Sequence, residues 1–118
     1  MNHRGESRGV LAEQQAEQFL QQQGLKLVER NHRSRFGEID LIMQDGSVLV
    51  FVEVRLRNRT DFGGAAASID ARKQQRIVRT AQLYLASLVS IPPCRFDAVL
   101  MDDSRGGQFQ WLKNAFDG

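Results

Sequence analysis

The stretch from Gly37 to Leu56, GEIDLIMQDGSVLVFVEVRL, contains the strongest strand and turn signals of the sequence. Apolar residues recur on both sides of Asp45-Gly46, a dipeptide that favours a two-residue hairpin loop. The stretch therefore predicts two antiparallel strands over residues 37–44 and 47–56. These two strands form the centre of the predicted sheet.

The two-residue loop sets the register of the hairpin, with Glu38 opposite Glu53 and Asp40 opposite Phe51. Because side chains alternate along a strand, one face is wholly apolar, and we expect that face to be buried. It consists of Ile39, Leu41, Met43, Val48, Val50, Val52 and Val54. The opposite face, which we call the acidic face, carries four charged side chains among apolar ones: Glu38, Asp40, Glu53 and Arg55.

The three carboxylates of the acidic face need a compensating positive charge. Carboxylates roughly 5 Å apart repel each other by about 3 kcal/mol per pair at an effective dielectric constant of about 20. A divalent cation or an ion pair with an arginine such as Arg55 would offset this repulsion. Oxygen ligands without a neighbouring cysteine or histidine favour Mg²⁺ or Mn²⁺ over zinc. The pattern alone leaves a metal site and a structural Glu–Arg network equally open.

The remaining residues predict two helices and three further strands. Apolar residues at helical spacing indicate a helix over 10–23 that ends at Gly24, and a second helix over 69–89 with Ser68 as its N-cap. We predict further strands over residues 25–33, 95–101 and 108–112, and mobile segments over residues 1–8 and 57–67. The order α-β-β-β-α-β-β indicates a single α/β domain over residues 1–118, with a mixed sheet of about five strands flanked by helices.

Two helical side chains are expected to face the sheet near the acidic face. Glu13 lies at the edge of the apolar stripe of the first helix, and Lys73 is in line with the apolar residues of the second. Glu17 is expected to lie further round, toward solvent. Three arginines of the second helix are expected to face outward: Arg72, Arg76 and Arg79.

The composition excludes several classes of protein. With 118 residues, of which 42% are hydrophobic and 25% charged, the chain is large enough for one folded domain and unlike a disordered protein. The longest apolar run has five residues, and the polar N-terminus lacks a secretory signal, so we expect a cytoplasmic protein without membrane contact. Cys94 is the only cysteine, which excludes an internal disulfide and a cysteine-cluster zinc site.

The positive charge is concentrated in one part of the chain. Residues 55–79 contain seven basic and two acidic side chains, although the net charge of the whole chain is only +2. Thirteen of the 16 basic residues are arginines, whose forked guanidinium group suits phosphate. This distribution favours a nucleic-acid partner about as strongly as it favours an arginine-rich solvated surface.

Three stretches resemble the YraN family, also called UPF0102. They are RNHRSRFGEIDLIMQDGSVLVFVEVRLR over residues 30–57, FGGAAASIDARKQQRI over residues 62–77 and CRFDAVLM over residues 94–101. The motifs GEID and FVEV, at their separation in this chain, are the most specific part of the resemblance, which covers nearly the whole chain. The resemblance implies the restriction-endonuclease-like fold of the PD-(D/E)XK nucleases and a relation to archaeal Holliday-junction resolvases.

The resemblance also implies roles for particular residues. The acid of the family's first helix falls on Glu13, the aspartate of GEID on Asp40 and the glutamate of FVEV on Glu53. In the nuclease superfamily Asp40 and Glu53 would bind a metal ion together with the carbonyl oxygen of Val54. Glu13 would complete the ligand shell or orient a water molecule.

This chain departs from the superfamily at one position that matters for catalysis. Where the superfamily has a lysine two residues after the second acid, this chain has Arg55. Arginine can hold phosphoryl oxygens with two donors, but it stays charged and cannot act as a base. Lys73, on the second predicted helix, is the candidate that would supply the missing ammonium group.

The resemblance implies a metal-dependent endonuclease that hydrolyses DNA phosphodiester bonds, with branched or structured DNA as the expected substrate class. Its cofactor would be Mg²⁺ or Mn²⁺, and a homodimer is expected by analogy with junction resolvases, which cut two equivalent strands. Two alternatives remain open: a non-catalytic nucleic-acid-binding module on the same scaffold, and a protein-interaction factor that docks through the apolar residues of the acidic face and residues 111–116. The residues expected to hold the nucleic-acid backbone are Arg33, Arg35, Arg57, Arg59, Arg72, Arg76 and Arg79.

Overall fold

The computed structural model describes residues 8–57, 69–102 and 109–118. They form two helices, α1 (Arg8–Gln22) and α2 (Ala71–Ala86), and five strands, β1 (Lys26–Ser34), β2 (Gly37–Asp45), β3 (Val48–Arg57), β4 (Cys94–Asp102) and β5 (Phe109–Phe116). The α/β class and the order α-β-β-β-α-β-β predicted from the sequence are confirmed. Most of the two segments predicted to be mobile lies outside the described residues, as do Arg59 and Ser68.

The five strands form one mixed sheet in the order β1-β2-β3-β4-β5. Neighbouring strands are antiparallel except β3 and β4, which are parallel. Parallel neighbours cannot be joined by a tight turn, and the chain accordingly passes through α2 between them. The strand that carries Glu53 is therefore the central strand of the sheet.

One helix covers each face of the sheet. On one face Val50 of β3 belongs to a buried cluster with Ala16 of α1, and on the other Phe51 belongs to a cluster with Ile77 of α2. Consecutive residues of β3 thus point to opposite layers, as the period of a strand requires. No helix in the described part of the chain is long and apolar enough to cross a lipid bilayer.

Helix α2 is shorter than predicted at both ends. Its N-cap is Asp70 rather than Ser68, because an oxygen of Asp70 accepts the backbone N–H of Lys73 at 2.8 Å. The helix ends at Ala86 rather than Val89.

The hairpin between β2 and β3 closes one residue later than predicted. Asp45 pairs with Val48, so the loop residues are Gly46 and Ser47. Of these two, only Gly46 has a positive φ, +62°. A positive φ at the first loop residue alone is typical of a type II′ turn, which favours glycine at that position.

The later turn makes the predicted strand pairs wrong. Phe51 lies opposite Ile42 rather than Asp40, and the expected pair of Glu38 with Glu53 does not form. The shift amounts to two residues. Because the side-chain period of a strand is also two, the shift leaves the β3 residues on their predicted faces.

The alternation of β2 breaks at Asp40. Leu41 packs on the α1 side of the sheet, whereas Ile39 belongs to the cluster on the α2 side. The prediction that Ile39 and Leu41 share a face is therefore wrong. Opposite this point Asn31 of β1 has a positive φ of 49° and is not paired with Asp40, although its neighbours Arg30 and His32 pair with Leu41 and Ile39. Asp40 consequently lies at a local distortion of the sheet.

Candidate functional site

Asp40 lies where β2 and β3 separate. The pairing of the two strands begins at Leu41 and Val52. Asp40 is the residue directly before Leu41, and its carboxylate accepts the backbone N–H of Val54 at 2.8 Å. A side chain thus takes the place of a strand hydrogen bond, and it brings a carboxylate into the gap between the strands. Val54, whose carbonyl oxygen the family resemblance implies as a metal ligand, is held next to Asp40 by this bond.

Carboxylates approach Asp40 from three elements. Glu13 of α1 and Glu38 of β2 each offer an oxygen, and these two oxygens and one of Asp40 all lie within 4.8 Å of one another. Glu53 of β3 interacts with Asp40 electrostatically and by a side-chain hydrogen bond. The acids that the sequence singled out therefore come together. Glu38, Asp40 and Glu53 line one cleft on the α2 side of the sheet, and Glu38 and Asp40 also come within reach of Glu13 of α1.

Asn31 links two of these carboxylates, and sequence reasoning missed it. Its side-chain amide lies 2.9 Å from Glu13 Oε1 and 2.9 Å from Glu38 Oε2. Asparagine adopts the left-handed conformation more readily than most residues, which suits its positive φ. The amino-acid type was the one available signal, but the sequence does not reveal that Asn31 lies next to Glu13 of α1.

We call Glu13, Glu38, Asp40 and Glu53 the acidic cluster, and burial makes two of its carboxyl groups, those of Asp40 and Glu13, harder to ionise. Burial raises the pKa of Asp40 to about 7, and the charge of Glu53 adds to the shift, while the hydrogen bond from Val54 and the charge of Lys73 oppose it. Burial also raises the pKa of Glu13. The charge of Asp40 adds to this shift, and the hydrogen bond from Asn31 opposes it. The negative charges of the cluster are therefore only partly compensated.

The compensating charge on the α2 side comes from a lysine. Lys73 Nζ lies 2.7 Å from Glu53 Oε2, and the Glu53 side chain is 3% exposed. The prediction that Lys73 faces the sheet is confirmed. Arg55, the other expected partner, is half-buried and pairs with Leu100 of β4 through its backbone, and its side chain forms no hydrogen bond or ion pair with another residue of the described ranges.

Two openings flank the acidic cluster. A cleft of about 200 Å³, which we call the acidic cleft, lies on the α2 side and is lined by Gly37, Glu38, Asp40, Glu53, Lys73, Arg76 and Ile77. A second cavity of about 410 Å³ lies beside α1, and its lining includes Glu13, Glu17, Arg30 and Asn31. The acidic cleft combines carboxylates with two basic side chains, so it can bring a cation and a phosphate group together.

Glu17 is not directed toward solvent, and that prediction is wrong. It is 7% exposed, and its two carboxylate oxygens accept hydrogen bonds from Arg30 Nε at 2.6 Å and Nη2 at 2.9 Å. The forked pair explains how a carboxylate can be buried beside α1. It also ties α1 to β1 next to Glu13.

The arginines predicted to bind a nucleic-acid backbone lie mainly on two elements. The three on α2 are exposed, as predicted, but Arg76 also lines the acidic cleft beside Lys73, so the prediction that it faces away from the sheet is wrong. Arg33 of β1 is exposed, and its Nε lies 3.4 Å from Glu38 Oε1. Arg35 is exposed in the turn after β1. Arg57 is the last residue of β3, and Arg59 lies outside the described residues.

Comparison with known proteins identifies the family. The family model described as "Uncharacterised protein family UPF0102" matches residues 12–101, which include every acid of the cluster and Lys73. A UPF0102 protein of Nitrosomonas europaea is 57% identical over 94% of this chain and 94% of its own length. UPF0102 proteins of Nitrosospira multiformis (54% identical, 93% and 92% covered) and Janthinobacterium sp. (55%, 92% and 86%) are similar over nearly the same length. The chain therefore belongs to the UPF0102 family.

Proposed function

We propose that the protein is a metal-dependent endonuclease that hydrolyses DNA phosphodiester bonds. The observation that carries the proposal is the convergence of Glu13, Glu38 and Glu53 on Asp40, whose pKa is raised to about 7. Such a cluster destabilises the fold unless a positive charge or a bound proton offsets the repulsion between its carboxylates. Strongly shifted carboxylates in a cleft are typical of functional sites.

The cluster suits a hard divalent cation. Its donors are carboxylate oxygens, with no cysteine or histidine in the group formed by Glu13, Glu38 and Asp40, and this favours Mg²⁺ or Mn²⁺. The family resemblance implies the overlapping set of Asp40, Glu53 and the carbonyl oxygen of Val54. Asp40 belongs to both sets. When bound, the cation would polarise the phosphate and lower the pKa of a water molecule.

The basic side chains of the acidic cleft would act on the substrate. Lys73 would stabilise the negative charge that develops on the phosphoryl oxygens. Arg76 would hold the phosphate, and the exposed arginines of α2 and β1 would hold the rest of the backbone. Branched DNA as the substrate and a two-fold homodimer are parts of this proposal that the resemblance to junction resolvases supports.

The first test is cleavage by the variant Asp40→Asn. The wild type should cleave at least one of a four-way junction, a flap and a linear duplex with Mg²⁺ or Mn²⁺, and Asp40→Asn should lose both cleavage and the cation site measured by calorimetry. Glu29→Gln is the matched control, because Glu29 is a β1 carboxylate outside the cluster that pairs with His32. Cleavage that persists in Asp40→Asn, or its absence in the wild type with every substrate and cation, would contradict the proposal.

The second test concerns the ammonium group on α2. Lys73→Met should lower the cleavage rate by on the order of 100-fold, because an electrostatic donor at the phosphate is lost. It should not weaken cation binding, since the substitution removes a positive charge beside Glu53. Single-turnover rates at saturating cation measure the effect. An unchanged rate would contradict the stabilising role proposed for Lys73.

A non-catalytic nucleic-acid-binding module is the second candidate. Two observations favour it. Lys73 already neutralises the charge of Glu53 in an ion pair, and Arg55 stands where the superfamily has a lysine. This candidate predicts salt-dependent binding of DNA without turnover and little loss of binding in Glu53→Gln. The protein-interaction hypothesis has less support, because two of its residues pack within the fold: Phe116 stacks on Phe96 and Trp111 hydrogen-bonds to Asp97.

A further inference from the structure

The turn between β1 and β2 is locked against α2 beside the acidic cleft. Ser34 Oγ accepts the backbone N–H of Phe36 at 3.0 Å and lies 2.9 Å from Thr80 Oγ1 of α2. Gly37 lies so close to the helix that a Cβ atom there would be 3.3 Å from the Cβ of Arg76. The backbone of this turn is therefore held in a fixed position relative to α2.

Phe36 gathers two arginines from separate elements. The guanidinium carbon of Arg35 lies over its ring at 5.0 Å from the centroid, and that of Arg79, from α2, lies over it at 5.3 Å. Both distances are typical of cation–π contacts. We call these three residues the arginine clamp.

The charges of the arginine clamp are available to an external anion. Within the described ranges, Arg35 and Arg79 form no ion pair with a carboxylate, although three other arginines do: Arg30, Arg33 and Arg95. Arg76, one helical turn before Arg79, lines the acidic cleft. A row of guanidinium groups thus runs from the cleft to the clamp along α2.

We propose that the arginine clamp binds a phosphate of a nucleic-acid strand, next to the phosphate that the proposed function places in the acidic cleft. The proposal rests on the nucleic-acid partner of the proposed function. It adds the path of the strand along α2 and a role for the uncharged Phe36, which positions the two guanidinium groups. Guanidinium groups held over a ring lose less side-chain freedom when they bind phosphate. An uncharged residue is therefore expected to contribute to the affinity for a polyanion.

The test is a double-mutant cycle on DNA binding. Fluorescence anisotropy of a labelled oligonucleotide in EDTA, at several salt concentrations, measures binding without turnover. Phe36→Leu retains an apolar side chain but removes the ring, and it should weaken binding roughly threefold to tenfold. Phe36→Tyr should restore most of the affinity. In an Arg35→Ala/Arg79→Ala background, Phe36→Leu should cause no further loss, because the groups that the ring organises are gone.

Arg72→Ala provides the matched control. Arg72 is an exposed arginine two turns before Arg79 on α2, and no contact joins it to Phe36 within the described residues. The loss caused by Phe36→Leu should persist in full in the Arg72→Ala background. An equal loss in the Arg35→Ala/Arg79→Ala background, or unchanged affinity in Phe36→Leu, would overturn the clamp while leaving the endonuclease proposal standing. If neither the wild type nor any variant binds DNA, the clamp and the nucleic-acid partner are both overturned. The cleavage assay tests the nuclease chemistry separately.

Discussion

The variant Asp40→Asn should be more stable than the wild type at pH 8, by up to about 4 kcal/mol in the free energy of unfolding, and equally stable near pH 4. The wild-type carboxyl group has its pKa raised from 3.8 to about 7 by burial and by the charge of Glu53. Asparagine has no charge to desolvate, and its side-chain oxygen can still accept the backbone N–H of Val54. The substitution therefore removes an unfavourable charge without removing the hydrogen bond.

The direction of the pH dependence follows from the raised pKa of Asp40. A group whose pKa is higher in the folded state stabilises the fold fully below its unfolded pKa, and this stabilisation is lost as the pH rises through the folded value. For Asp40 the loss extends from about pH 4 to about pH 7. The difference in unfolding free energy between Asp40→Asn and the wild type should grow by about 1.4 kcal/mol per pH unit over this range and then level off.

Urea unfolding of both proteins at a series of pH values measures this difference directly. Glu29→Gln serves again as control and should differ from the wild type by a small amount, since the Glu29 side chain is 43% exposed and its ion pair with His32 is screened by solvent. Adding Mg²⁺ at pH 8 should stabilise the wild type but not Asp40→Asn, because a ligand that binds the folded state shifts the unfolding equilibrium. A difference that does not change between pH 4 and pH 8 would mean that Asp40 ionises normally in the folded protein.

A gain in stability together with a loss of cleavage would have a direct physical meaning. Natural proteins accept unfavourable charge where function needs it, and removing that charge commonly stabilises the fold. The convergence of Glu13, Glu38 and Glu53 on Asp40 has the character of such a site. The two measurements on Asp40→Asn, one on cleavage and one on unfolding, therefore test the same charge cluster independently.

The fold could be predicted from the sequence because its main signals are local. Alternating apolar residues around Asp45-Gly46 indicate the central hairpin, and helical spacing indicates that Lys73 faces the sheet. The register could not be obtained in the same way, because Asp-Gly and Gly-Ser both make good two-residue loops. Gly46 has a positive φ in either loop, so the choice depends on Asp45, which would need a positive φ in an Asp-Gly type I′ loop and does not have one here.

The candidate site was predictable as a set of residues but not as a geometry. Asp40 and Glu53 follow from the strand pattern, whereas the break in alternation between Ile39 and Leu41 depends on how β1 and β3 meet β2. The pairing of Glu17 with Arg30 and the bridging role of Asn31 join residues that are distant in sequence. Periodicity describes one element at a time, so it does not predict contacts between elements.

Asp97 is the second position at which a single substitution should have a large effect. It lies on β4 and is fully buried, and its carboxylate accepts hydrogen bonds from three groups. Arg95 Nε lies 3.0 and 3.2 Å from its two oxygens, Trp111 Nε1 donates at 3.0 Å and the backbone N–H of Asn114 donates at 3.1 Å. Asn114 has a positive φ of 53°, so this carboxylate also fixes an irregular point of β5.

Asp97→Ala should lower the free energy of unfolding by about 3–5 kcal/mol, because it leaves the Arg95 guanidinium and two N–H donors without their acceptor in a buried setting. Asp45→Asn is the matched control: Asp45 also accepts from Arg95, but its side chain is 38% exposed, so its loss should cost well under 1 kcal/mol. Urea unfolding measures both variants, and hydrogen exchange should show the backbone amides of β5 opening first in Asp97→Ala. A cost near that of the control would mean that the three donors find other partners. Asp97 takes no part in the acidic cluster, so the folded fraction of Asp97→Ala should bind the cation as the wild type does. Cation binding therefore distinguishes a loss of stability at this end of the sheet from a loss of the chemistry proposed at Asp40.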